Sequence, residues 1–225
     1  MYRSVWKVAC VVLLAYTVIG GLLMPVPSMY ILNETIRNLY FHVPMWFTMM
    51  VLFSCGFFYN LKYLRSGNPA DDYRAVEFIN VGIFFSLLGL VTGMEWASET
   101  WGKAWSNDPK QLGTAMCILT YFAYIILRGG IKDEEKRARI SAVYGIFAFA
   151  LMMPLIFILP RMVDSLHPGD GGNPGFNAYD LDNGMRLVFY PAVAGWIMLG
   201  LWLAQLKIRV RFLHEKQENQ TSLSL

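Results

Sequence analysis

The sequence predicts an all-α integral membrane protein of six transmembrane helices, with both termini in the cytoplasm, on three observations. Of 225 residues, 56% are hydrophobic and only 16% charged, a balance that a water-soluble globule does not carry. Apolar runs long enough to cross a bilayer, about 17 to 25 residues each, recur at 5–24, 44–64, 76–94, 112–127, 140–160 and 187–206. The cations between these runs are distributed unevenly. Of the 19 Lys and Arg, only Arg37, Lys103, Lys110, Arg161 and Arg186 fall in one alternate set of connections, and the rest fall in the other. The positive-inside rule makes the richer side cytoplasmic.

Taken in order, the first run has Arg3 and Lys7 at its start, as a signal peptide would. No A-x-A-like cleavage site follows, and Gly20-Gly21 continues into Leu22-Leu23-Met24, so it reads as a retained helix. The second run opens directly after Tyr40-Phe41-His42-Val43. The third precedes an outer connection, 95–111, that carries Trp96, Trp101 and Trp105. The fourth and fifth flank the short basic connection 128–139, and the fifth leads into an outer segment, 161–186, with His167 near its start. Gly169-Asp-Gly-Gly-Asn-Pro-Gly175 within that segment forms no regular element. The sixth run leads to a polar tail that reads as frayed. Residues 1–213 thus make one transmembrane domain and 214–225 a short cytoplasmic tail. A net charge of +3 gives no sign of nucleic-acid binding. Cys10, Cys55 and Cys117 lie within apolar runs without a CxxC pair, which speaks against redox chemistry and zinc.

Function is expected on the outer side, where the connections are aromatic or rich in Gly and Pro. His42 and His167 each stand at the outer mouth of a helix, whereas His214, the third histidine, lies in the tail. Neutral imidazole binds haem iron, and two on opposite faces make a bis-histidine site. Two amphipathic rings at the headgroup level would look the same. Three Trp within ten positions present more apolar area than a short connection needs. If that stretch is helical, Trp101 and Trp105 at i and i+4 share a face suited to a flat apolar ligand, with Gly102 allowing close approach. The alternative is an aromatic belt. Cations on this side are scarce, and Lys103, Lys110 and Arg37 could pair with carboxylates at a ligand's edge.

These residues resemble the haem exporter protein C family of cytochrome c maturation, within the wider group of cytochrome c assembly membrane proteins. Tyr40-Phe41-His42-Val43-Pro44 looks like the family's histidine motif, 101–114 like its tryptophan-rich signature including Asp108, and His167 like its last outer histidine. The resemblance implies that His42 and His167 are axial ligands of a transiently bound haem b, that Trp96, Trp101, Trp105 and Asp108 belong to the segment holding it, and that Arg37 and Lys110 lie near its propionates. The family usually has further Trp where this chain has Ser106-Asn107, and Arg at Lys110, so a smaller platform and a point charge replace a two-pronged contact. The implied role is delivery of haem at the periplasmic face of a bacterial inner membrane to a periplasmic haem chaperone, without catalysis, beside an ATP-driven transporter pair and a small single-helix membrane partner. Length and six spans suit this branch better than the longer synthetase type.

Two other classes fit less well. An electron-transfer cytochrome b subunit needs ligands within the span, and no histidine occurs inside the six runs. An ion-coupled transporter needs ionisable groups at mid-membrane, and only Glu77 and Lys7 qualify, both near ends.

Overall fold

The computed structural model describes residues 2–28, 31–167 and 181–223. Among them the regular structure is helical, with six stretches long and apolar enough to cross a membrane. Helix α1 (Tyr2–Leu23) stops just before Pro25 and Pro27, which cannot continue it. A 3₁₀ turn (Asn33–Asn38) leads into α2 (Leu39–Ser66), which Gly67 closes in the left-handed conformation at φ 64°. Asn68 then caps α3 (Pro69–Trp101) by accepting the Ala70 N–H, with Pro69 in the first turn where its missing N–H costs nothing. Asp108 and Pro109 repeat this device for α4 (Pro109–Gly130), and Asp133 caps α5 (Glu134–Met153). Pro154 has no N–H for the α-helical ladder, and α5 passes there through a π-helical turn (Pro154–Ile158) into the short α6 (Leu159–Met162). Helix α7 (Asn183–Leu223) closes the bundle.

The helices outrun the apolar runs. Helix α2 starts at Leu39 rather than 44, and α3 continues to Trp101 rather than 94, because helical hydrogen bonds are internal and need a stop signal, not a change in hydropathy, to end. For the same reason the tail expected to fray stays helical to Leu223, since 207–223 contains neither Gly nor Pro. The Gly169 to Gly175 stretch lies outside the described residues.

Helices α2 and α3 form the central hairpin. Met49, Leu52 and Phe53 of α2 pack with Ile79 and Phe85 of α3, Tyr121 of α4, Met152 of α5 and Ala204 of α7. Helix α1 lies antiparallel on α7, with Trp6 edge-on to Trp202 at 6.0 Å and Gly20 against Val188, so both chain ends leave the same end of the bundle. That end is held by charge. Arg128 of α4 donates two hydrogen bonds, 2.8 and 2.6 Å, to the carboxylate of buried Asp72 on α3. Glu77 accepts Arg211 at 3.1 Å and Lys207 at 3.3 Å, and the Lys7 ammonium sits over Trp202. Glu77 and Lys7 therefore have structural partners near that end. The site lies at the other.

Candidate functional site

The site is built where the first turns of α2 meet the last turns of α3. The His42 ring crosses α3 at Gly93, where a Cβ would stand 2.5 Å from its Cε1. One turn on, Trp46 crosses at Gly89, where a Cβ would stand 2.9 Å from the indole. Gly89-Leu-Val-Thr-Gly93 is thus a small-xxx-small groove of the kind that lets membrane helices approach closely. Between the two glycines, Thr92 donates its hydroxyl proton to the Leu88 carbonyl at 2.8 Å. Its oxygen must then accept from His42 Nδ1, 3.1 Å away, which assigns the proton to Nδ1 and the lone pair to Nε2. Trp46 Nε1 donates to that Nε2 at 3.2 Å. Trp96 meets the His42 ring edge-on at 5.9 Å and donates its N–H to Thr35.

His167 reaches the same place from the segment after α6. Its Nδ1 lies 2.9 Å from Asp108 Oδ1, and Trp101 packs edge-on against its ring at 4.9 Å. Asp108 is a hub: Oδ1 also accepts the Lys110 N–H, and Oδ2 accepts Ser165 Oγ at 2.8 Å and the Leu166 N–H at 2.7 Å. Burial pushes the Asp108 carboxyl up, but His167 and these three donors outweigh it and hold the pKa below the ordinary carboxylate value. Burial pushes the His167 imidazole down, Asp108 opposes and Lys110 assists, and the net shift is downward. The ring is therefore neutral near pH 7, with Nδ1–H donated to a carboxylate and the lone pair on Nε2.

Both histidines line one cavity of about 750 Å³, within the range of small-molecule and cofactor sites. Its walls are mostly apolar: Trp46, Trp96 and Trp101, Val43 and Phe47 of α2, Leu90 and Met94 of α3, and Ile156, Phe157 and Pro160 from the π turn and α6. That turn comes close because α4 has Gly113 against the Leu155 carbonyl, where a Cβ would collide with backbone. Among the described lining residues Lys110 is the one Lys or Arg.

The predicted residues are sorted by the fold. His42, His167, Trp96, Trp101 and Lys110 line the cavity, and Asp108 stands behind His167. Trp105 and Arg37 do not line it. Trp101 and Trp105 share no helix face, because α3 ends at Trp101 and Gly102 turns left-handed at φ 72°. Gly102 ends the helix, and no lining of the cavity is assigned to it. Trp105 lies in the loop beyond, 37% exposed, with its N–H on Asn107, which itself takes φ 59°. Arg37 donates to the Gly21 and Met24 carbonyls and pairs with Glu34, pinning the 3₁₀ turn to the end of α1. Trp46, Thr92 and the glycine pair were not singled out from sequence, although the G-x-x-x-G spacing within an apolar run is a legible signal.

Residues 3–167 match the family described as cytochrome C assembly protein. The chain belongs to this family. Its match reaches from α1 to His167, so both histidines and the Trp segment are family territory. Among its relatives, a Synechococcus protein named cytochrome c biogenesis protein CcsA is 35% identical over 86 residues, covering 38% of this chain and 28% of the relative. A Prochlorococcus marinus protein of the same name is 40% identical over 75 residues, covering 33% and 24%. A Bradyrhizobium diazoefficiens protein named heme exporter protein C is 26% identical over 159 residues, covering 71% of this chain and 59% of the relative. The chain thus spans about a quarter of the CcsA relatives and under two thirds of the exporter.

The glycine groove makes a direct prediction. Gly93→Ala should cost about 1–3 kcal/mol, as overpacking a tight contact does, and lower the midpoint of thermal unfolding in detergent. Gly130→Ala, with open space around its Cβ, should not lower it.

Proposed function

We propose that this family member holds haem as cargo between His42 and His167 and passes it to a periplasmic haem chaperone for cytochrome c maturation. The observation that carries this is two imidazoles on one apolar cavity walled by Trp, the donor set that bis-histidine haem iron takes. Haem supplies the iron that the two Nε2 atoms would ligate. Trp96 and Trp101 exclude water and offer apolar faces to the macrocycle, and Lys110 is the cation for a propionate. Asp108 holds the His167 tautomer. The role is binding and handing on, not turnover, beside an ATP-driven transporter pair and a small single-helix partner. The heme exporter name belongs to a relative matched over 71% of this chain, against 38% for a CcsA relative, which favours that branch over the CcsA type.

Given ferric haem, the purified protein should show a Soret band. Trp101→Ala should lower haem retention by about tenfold, combining lost apolar area with lost ring stacking. Trp105→Ala should stay within twofold. No Soret band in the parent would end the proposal.

The site end should face the periplasm of a bacterial inner membrane, on the cation count. Alkaline phosphatase fused after Gly172 should be active, and fused after Lys136 silent. The reverse pattern would refute periplasmic delivery.

A further inference from the structure

Resting on the haem-cargo proposal, we infer that Trp46 is a latch on His42, holding the iron-ligating nitrogen until haem has engaged His167. The two histidines are held differently. His167 is held through Nδ1 by a buried carboxylate, which raises the donor strength of Nε2. His42 has both nitrogens engaged: Nδ1–H on Thr92, whose own proton is committed to Leu88, and the Nε2 lone pair on the Trp46 N–H at 3.2 Å. Trp46 is placed for this by sequence and fold together. It sits at i+4 from His42 on α2, and its six-membered ring fills the gap that Gly89 leaves.

His167 is therefore the first ligand, and His42 the second once the indole moves off. For His42 to ligate iron, Trp46 would give up its hydrogen bond to Nε2, and the lone pair so freed would serve the metal. The Nδ1 proton stays on Thr92, and no proton or electron is transferred. Trp46 is a positioning residue: it competes with iron for one lone pair, so the apparent strength of His42 as a ligand falls by the fraction of time it is latched. A carrier that must release its cargo gains from a second ligand that can be recaptured.

Trp46→Phe keeps a ring in the Gly89 gap and removes the N–H. From the net strength of a neutral hydrogen bond, it should slow haem transfer to apomyoglobin about fivefold and raise the six-coordinate fraction. Without haem, carbethoxylation of His42 by diethyl pyrocarbonate, read by peptide mass, should quicken about fivefold. Unchanged rates in both assays would overturn the latch. If neither protein gives a Soret band yet His42 carbethoxylation still quickens, it is the haem proposal that fails, and the latch on iron with it. Should the variant not accumulate, the haem-free parent decides: His42 should react severalfold more slowly than His167, and equal rates would overturn the latch.

Discussion

Replacing His42 and His167 together by Ala should abolish haem binding, because the cavity then has apolar walls and no imidazole to ligate iron. Each single variant should lose at least about tenfold in retention, since even a change in a ligand's supporting partner costs 10- to 100-fold, and should show an altered spectrum. The losses should be unequal. His167 is anchored to a carboxylate and His42 to a hydroxyl, so His167→Ala should lose more. Free imidazole, small enough to enter the vacated space, should restore part of the six-coordinate spectrum in either single variant. His214→Ala, at the opposite end of α7, should match the parent. An unaltered haem spectrum in His167→Ala would break the pairing.

The second large effect is expected at Asp108, which touches His167, Ser165, Leu166 and Lys110 at once. Asp108→Ala should cost 10- to 100-fold in haem retention through His167 and about 1 kcal/mol of stability through the lost cap of α4. Asp108→Asn keeps a cap acceptor but not the charge, so stability should largely recover while haem retention stays low. The sign of the pH dependence follows from the depressed carboxyl pKa. A group held below its ordinary value contributes stability above the unfolded pKa, near 3.8, and loses it as pH falls through the folded one. Thermal stability of the parent should therefore exceed that of Asp108→Ala throughout pH 5 to 8, and the margin should shrink below pH 4. A margin that vanished at pH 6 would show that Asp108 is not the hub described.

Much of this was legible along the chain. Six apolar runs became six membrane-long helices because in lipid each backbone amide must be satisfied within its own segment, so hydropathy and helix coincide. His42 and His167 could be placed at one end of the bundle from sequence because one stands just before the second apolar run and the other just after the fifth, in the same alternate set of connections. Other roles were not readable from spacing. Trp105 sits four residues after Trp101, a helical spacing, yet Gly102 ends the helix between them. Arg37 is a cation on the site side of the bundle, yet the unpaired carbonyls at the end of α1 take it first. Asp108 belongs to the signature segment, yet it acts by holding His167, 59 positions away, and spacing carries no information about such a pair.

What the sequence by itself determined is the class of molecule and its two unlike ends: a helical membrane bundle, two histidines at one end with aromatic mass beside them, and basic residues at the other. These are properties of composition and period, set by the solvent each stretch of chain must face. The tertiary structure alone decided which side chains share the cavity, because that depends on contact between helices. Gly89 and Gly93 matter only because Trp46 and His42 cross them, and the Nδ1 partner of each cavity histidine is a residue brought there by packing: Thr92 from α3 for one, Asp108 from the cap of α4 for the other.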